Sequence, residues 1–245
     1  MKNRFKFFSK HLIFSLLLAI IIILWVFLIW YPVPLAKATG VTHLFLMMIA
    51  IDVILGPVLG FLVYKEGKKT LKFDLTVIIV IQIFALFYGV YHIAQGRPVW
   101  IVYNVDRFEL IRKNDIVENN IKSALPIYRE GSLLKPKFVA TEFSKNTTER
   151  NQNMFEEVLG GISIAQRPER YIPFEKVKSE IDQKSQKIAL LNQFNHPEDV
   201  NLILKKYPEA NGWFPLKASV EDMVVLINKE QGKVIAIVDL RPWNS

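Results

Sequence analysis

The sequence predicts a membrane protein: three transmembrane α-helices followed by an extracytoplasmic α+β domain with a C-terminal β-hairpin. Three observations lead there. The first hundred residues hold three long apolar runs, and lysines cluster at the ends of those runs. Beyond residue 95 the pattern changes to short strand-like and amphipathic segments separated by turn residues.

The apolar runs cover residues 12–30, 41–64 and 75–94. A helix rises 1.5 Å per residue, so about 20 residues cross a hydrocarbon core roughly 30 Å thick. The first run has Ser15 as its only polar side chain. The second holds Thr42, His43 and Asp52, and the third Thr76, Gln82 and His92. Buried helices of a soluble protein normally keep a polar face; these runs have none.

The net charge of +8 is not a nucleic-acid signal once its distribution is read. The first 94 residues carry nine basic and three acidic side chains, and the remainder 22 and 20. Lys2, Arg4, Lys6 and Lys10 precede the first run. Lys65, Lys68, Lys69 and Lys72 crowd the ten-residue loop before the third, which ends at Asp74. Lysine and arginine in short loops resist translocation, so both segments are expected in the cytoplasm. The connector 31–40 then lies outside with only Lys37. A membrane domain of residues 1–94 is thus expected to carry an extracytoplasmic domain of residues 95–245. There are no cysteines, so a core of about 150 residues must hold that domain without disulfides. Ala36-Lys37-Ala38 fits a signal-peptide cleavage pattern, but 19 apolar residues exceed an h-region of about 7–15. Retention of the first span is expected.

In the second half, residues 98–105 are rich in β-branched and aromatic types and read as a strand. Residues 115–125 read as a short helix capped by Asn114, 135–142 as a second strand, and 153–159 as a brief helix stopped by Gly160-Gly161. Residues 175–194 carry Val177, Ile181, Ile188, Leu191 and Phe194 on one helical face, which packs on the domain's own sheet in preference to a partner. Pro197 opens a helix to about Tyr207, since its missing N–H costs nothing in a first turn. Residues 222–228 and 233–239, joined by Lys229-Glu230-Gln231-Gly232, read as a hairpin.

Few residues suggest chemistry. Asp52 sits mid-span, where an ionised carboxylate is costly. It either meets a polar group of a partner helix or a proton-linked site, or bonds Gln82 or Thr76 of the third span. Pro57, beside Gly56, removes a helical N–H and predicts a kink that opens room for another helix. Asp52 and Asp74 lie too far apart in depth for a shared-proton protease dyad; Asp74 is expected to cap the third helix. His11, His43, His92 and His196 show no metal-ligand spacing, and no phosphate or dinucleotide fingerprint occurs. No catalytic, cofactor-binding or metal residue is predicted. Asn146-Thr147-Thr148 matches a glycosylation sequon. Arg97, Asp106 and Arg107 would lie just outside the membrane, where the arginines meet lipid phosphates, a partner carboxylate or a salt-bridge partner within the domain.

Several segments together resemble one family, the type IV pilin accessory proteins. In the membrane half these are Asp52 to Pro57, Gly67 to Asp74, Gln82 and Tyr88-Gly89. Arg97-Pro98 and Val105 to Phe108 resemble the family's start of the outer domain, and Asp222 to Val225 and Asp239 to Trp243 its C-terminal end. The resemblance implies a non-enzymatic protein of the bacterial inner membrane that helps a cognate type IV pilin accumulate or assemble. Beside the lipid bilayer, the pilin is the implied partner. The expected mode is chaperone-like: a groove near Asp52, Gly56 and Pro57 holds the pilin's apolar helix while the outer domain contacts its head. The alternative is a small membrane sensor whose outer domain binds a ligand; an enzyme would need a polar cluster that the sequence lacks.

Overall fold

In a bilayer an unpaired backbone amide has no water to turn to, so long apolar runs become helices. The computed structural model, which describes residues 2–142, 146, 155 and 159–244, has three helices long and apolar enough to cross a membrane: Lys2–Trp30, Val41–Val63 and Leu71–Gln95. The first comprises α1 (Lys2–Trp25) and a wider π turn at Val26–Trp30. A single turn, α2 (Leu35–Thr39), precedes α3 (Val41–Val63), which the lysine loop separates from α4 (Leu71–Gln95). Two of these helices begin before their apolar runs, at Lys2 and Leu71, because helical bonding continues through the polar flanks.

α3 packs against both α1 and α4. Small residues make this close: a β-carbon on Gly60 would lie 2.9 Å from the Phe7 ring, and one on Gly89 would collide with the Met48 sulfur. The buried residues of α3 include Phe45, Ile49, Gly56, Pro57 and Gly60, whereas α4 buries none within the chain. Phe84, Phe87, Tyr88 and Tyr91 of α4 point outward.

The described residues beyond the helices build one sheet of seven strands: β1 (Pro98–Asn104), β2 (Arg107–Arg112), β3 (Lys137–Thr141), β4 (Tyr171–Ile172), β5 (Gly212–Lys217), β6 (Met223–Asn228) and β7 (Lys233–Val238). Their spatial order is β4-β3-β1-β2-β5-β6-β7. β1 with β3 and β2 with β5 are parallel; the other pairs are antiparallel. Phe138 of β3 and Val234 of β7 line the same groove although their strands stand far apart in that order. The sheet is therefore curled.

Alternation along β1 separates two cores. Ile101 and Tyr103 join Phe108, Phe214 and Val225 on one face, together with Leu35 and Ala38 of α2. Trp100 and Val102 join Tyr128, Val139 and Tyr171 on the other. A third cluster lies around Trp213, Leu226, Leu191 and Val200. The segment between the first two apolar helices is thus part of the sheet's core. Val220 and Glu221 N–H groups also donate to the Ala38 carbonyl at 3.0 and 3.2 Å.

The strands expected at 98–105 and 135–142 and the C-terminal hairpin are present. Other expectations need correcting. Residues 115–125 form no α-helix; they hold 3-10 turns at Lys113–Asp115 and Ile121–Ser123 before α5 (Pro126–Arg129). Asn114 lies inside the first of these turns, which the Asp115 carboxylate closes by accepting from the Arg112 backbone and guanidinium. The long helix expected over 175–194 is three pieces: a 3-10 turn at Phe174–Val177, α6 (Lys178–Lys184) and a 3-10 segment at Ile188–Gln193. The break comes at Gln186, which exchanges both backbone hydrogen bonds with Trp213 at 2.9 and 3.1 Å. Pairing with the sheet outweighs helical periodicity there, although Val177, Ile181 and Leu191 are buried as that periodicity implied. α7 (Pro197–Leu204) starts at its proline and stops short of Tyr207. The helix expected over 153–159 and the sequon threonines lie outside the described residues, Phe155 and Leu159 apart.

Candidate functional site in the helix bundle

Gln82 of α4 stands at the centre of a polar cluster between the three long helices. Its Nε2 donates to Ser15 Oγ at 3.2 Å and to the Asp52 backbone carbonyl at 2.8 Å. Both amide hydrogens are then committed, and Oε1 only accepts. His11 Nε2 lies 3.0 Å from that oxygen. It must therefore be the donor, which leaves Nδ1 of a neutral ring as an acceptor.

Two acceptors in this cluster find no partner. His11 Nδ1 and Asp52 Oδ2 are both shielded and unbonded. The two residues line one cavity of about 130 Å³, walled by Phe14, Leu18, Ile49 and Leu86. A buried unpaired acceptor costs about 1–3 kcal/mol. With Ser15 and Gln82 as its other polar lining residues, the cavity therefore offers two lone pairs to an incoming N–H or O–H donor, within apolar walls and with room for the polar end of a side chain.

Among the predicted positions, the structure brings Asp52, Gly56 and Gln82 together. Gly56 backs directly onto the Gln82 amide, and Pro57 is buried beside it. Of the alternatives for Asp52, the bond to Gln82 is made by its backbone carbonyl and not by its carboxylate, since the other amide hydrogen goes to Ser15. His11 and Ser15 escaped sequence reasoning. Their four-residue spacing puts them on one face of α1, the signal that could have found them.

The remaining predicted positions are scattered. Lys69 and Lys72 are exposed. Lys68 pairs with Asp74 at 2.7 Å, and Asp74 also accepts from the Thr70 hydroxyl at 3.0 Å. Asp74 sits in the first turn of α4, where its charge suits the helix dipole, but Thr70 is the capping residue. Arg97 is buried and donates to the carbonyls of Ala94 and Ser132 at 2.6 and 3.1 Å. Burial pushes its guanidinium below the usual arginine value. Arg107 lies 3.4 Å from the buried Glu109 carboxylate, and Asp106 is an exposed turn residue. Among the described residues no three acidic or histidine side chains converge as a metal site would require.

The C-terminal motif does connect to the rest. Lys37 of α2 reaches Asp239 at 2.8 Å and Glu221 at 3.3 Å. Arg241 also pairs with both carboxylates. Trp243 Nε1 donates to Asp222 at 3.1 Å. These contacts clasp α2 from outside while Leu35 anchors it from within.

Comparison with known proteins gives this architecture a family. The model of the fimbrial assembly protein FimB matches residues 1–40. The chain is 32% identical over 240 residues to the fimbrial assembly protein of serogroup I of Dichelobacter nodosus, covering 92% of this chain and 93% of the relative. The serogroup E1 protein of that organism matches at the same identity and coverage. A shorter one, of serogroups C1 and C2, is 35% identical over 129 residues, or 50% of this chain and 98% of its own length. No solved structure matches. With near-complete coverage at that identity, the chain belongs to the fimbrial assembly protein family.

Proposed function

We propose that this chain is a non-enzymatic accessory factor of the bacterial inner membrane that helps a cognate type IV pilin accumulate or assemble. Its relatives are named for fimbrial assembly. The proposed orientation has the N-terminus and the lysine loop in the cytoplasm and the sheet region in the periplasm. The charge distribution supports it. So does the shared core of α2 and the sheet, which requires the two to lie on one side of the membrane.

The observation that carries the mechanism is the pair of unfilled acceptors, Asp52 Oδ2 and His11 Nδ1, at one cavity among apolar helices. A partner helix in the membrane gains nothing from hydrophobicity, since lipid is equally apolar. Packing and interhelical hydrogen bonds hold it instead. A donor on the pilin's apolar helix would fill the acceptors and hold the subunit beside the bundle until it assembles. Gln82, Gly56 and Pro57 shape this site, and Asp52 makes the contact.

The test is deletion of the gene in its piliated host, with immunoblots of the major pilin in whole cells and in the sheared surface fraction. Loss of surface pilin, restored by the intact gene, is the expected result. Whole-cell pilin then separates a stability defect from an assembly defect. Unchanged pilin in both fractions would overturn the proposal and favour a membrane sensor. If Asp52→Asn and Asp52→Leu, stably expressed, both restore surface pilin fully, Asp52 is not the contact.

A further inference from the structure

Among the described residues the curled sheet is open along one side. In the strand order β7 has β6 as its only neighbour among the described residues. β3 is covered by β4 only at Ala140 and Thr141. Among the described residues the first half of β3 therefore has no strand outside it. Between these two edges runs a groove made of two connected hollows, of about 540 and 390 Å³, that share Phe138 and Val234. One hollow begins at Pro32 and Val33, directly after the first long helix, and continues along Ile235 to Ile237. The other ends at Gln231 and Gly232, at the tip of the last hairpin. The groove thus starts where the chain leaves the bundle and follows β7 to its far end.

Its floor is apolar and its rim is basic. Among the described residues, Lys135, Lys178 and Lys233 line it, against Glu175 as the single acidic lining residue. All three lysines are exposed, and Lys137 stands exposed beside Phe138. A free strand edge offers a row of backbone donors and acceptors to any extended chain. β7 carries a bulge at Ile235 and a lysine at its start. Both features discourage indiscriminate pairing, so the occupant must suit the groove.

We infer that β7 and this groove bind an extended, acidic segment of a membrane-anchored partner, added to the sheet as a further strand. Alternate apolar side chains of that segment would fill the floor between Phe138 and Val234, and its carboxylates would meet the lysine rim. The length and start of the groove suit a chain that emerges from the bilayer beside α1. The inference stands whether or not the partner is a pilin.

The test uses the full chain in detergent and two synthetic probes, a peptide of alternating Val and Glu and its Val–Lys counterpart. Hydrogen exchange is followed at the amides of residues 233–238. The Val–Glu peptide is expected to bind, in a salt-sensitive way, and to slow exchange in β7. The double variant Lys178→Glu, Lys233→Glu, altered only at exposed side chains, is expected to bind it at least about tenfold more weakly and to prefer the Val–Lys peptide. Equal binding of both peptides, or binding that leaves β7 exchange unchanged, overturns the inference. So does a β7 already protected without peptide, which would mean that this chain or a second copy covers the edge.

Discussion

The side-chain amide of Gln82 occupies the space in which a β-carbon on Gly56 would sit. α3 and α4 can meet there only because residue 56 has no side chain, and the meeting carries Gln82 to His11, Ser15 and Asp52. Gly56→Ala must push the amide out and break those bonds. A loss of roughly 1–3 kcal/mol is expected, read as a lower unfolding temperature of the detergent-solubilised chain. In a Gln82→Ala background the same change has room and should cost clearly less. Additive losses would show that the two residues do not compete for one space.

Leu35 and Lys37 fasten the same short helix by different means. Leu35 is almost fully buried in the sheet's core. Leu35→Ala should cost about 2–5 kcal/mol. Lys37 bonds the Asp239 carboxylate, which holds its ammonium above the usual lysine value, but its side chain is half exposed. Lys37→Ala should therefore cost under about 1 kcal/mol. Denaturant melts of both variants check the ranking; a larger loss for Lys37→Ala would mean that the clasp, not the core, holds α2.

The buried Glu109 carboxylate accepts from a neutral donor beside the Arg107 guanidinium. Asn104 Nδ2 donates to Glu109 Oε1 at 2.9 Å, and Thr141 Oγ1 donates to Asn104 Oδ1 at 3.2 Å. Asn104→Leu strips the carboxylate of that donor and should destabilise the chain by about 1–3 kcal/mol. Glu109→Gln keeps an acceptor and removes the charge, so it should be milder. Comparing the two unfolding curves decides between charge and hydrogen bonding as the requirement at this site.

Val105, in the turn between β1 and β2, has φ of 61°. A β-branched residue is strained there. Its carbonyl is held by the Tyr103 hydroxyl at 2.8 Å and by Lys184 at 3.0 Å. Val105→Asn, which tolerates this conformation, should stabilise the chain by up to about 1 kcal/mol. A loss of stability would show that the valine makes contacts worth more than the strain.

Alkaline pH should loosen the sheet region. Burial pushes the hydroxyls of Tyr103 and Tyr171 well above the usual tyrosine value. An acid whose folded pKa is raised keeps its proton in the folded state after the unfolded state has lost it. Their contribution is therefore intact below about pH 10 and declines above it, by roughly 1 kcal/mol per pH unit for each tyrosine. Unfolding midpoints between pH 9 and 11.5 test this. A Tyr171→Phe variant with a shallower decline would assign the share of Tyr171.

The helices were legible because their signal is one of composition: twenty apolar residues leave little choice of structure. The strands at Val99 to Tyr103 and Val224 to Ile227 were equally plain, being β-branched runs. What misled was the stretch from Glu175 to Phe194. Its apolar spacing is correct, but a strand elsewhere in the chain captures the Gln186 backbone, and no local pattern announces that. The site was half legible. Asp52 and Gln82 stand out as polar residues in apolar runs, whereas His11 and Ser15 look like flank and filler until α1 is laid against α4. The place of α2 in the sheet could not be read, since two long apolar helices separate Leu35 and Ala38 from the strands that enclose them.

That placement has a consequence for how the protein matures. Residues 35–39 emerge from the ribosome long before the strands that enclose them, with two further long apolar helices still to be synthesised. In the proposed topology the sheet completes its interior only when both of those helices have crossed in the right sense, because only then do the early turn and the late strands share a compartment. A chain threaded wrongly would be left with a hole at its centre where Leu35 and Ala38 belong. Correct insertion is thereby, in that topology, a condition for the fold to close around α2.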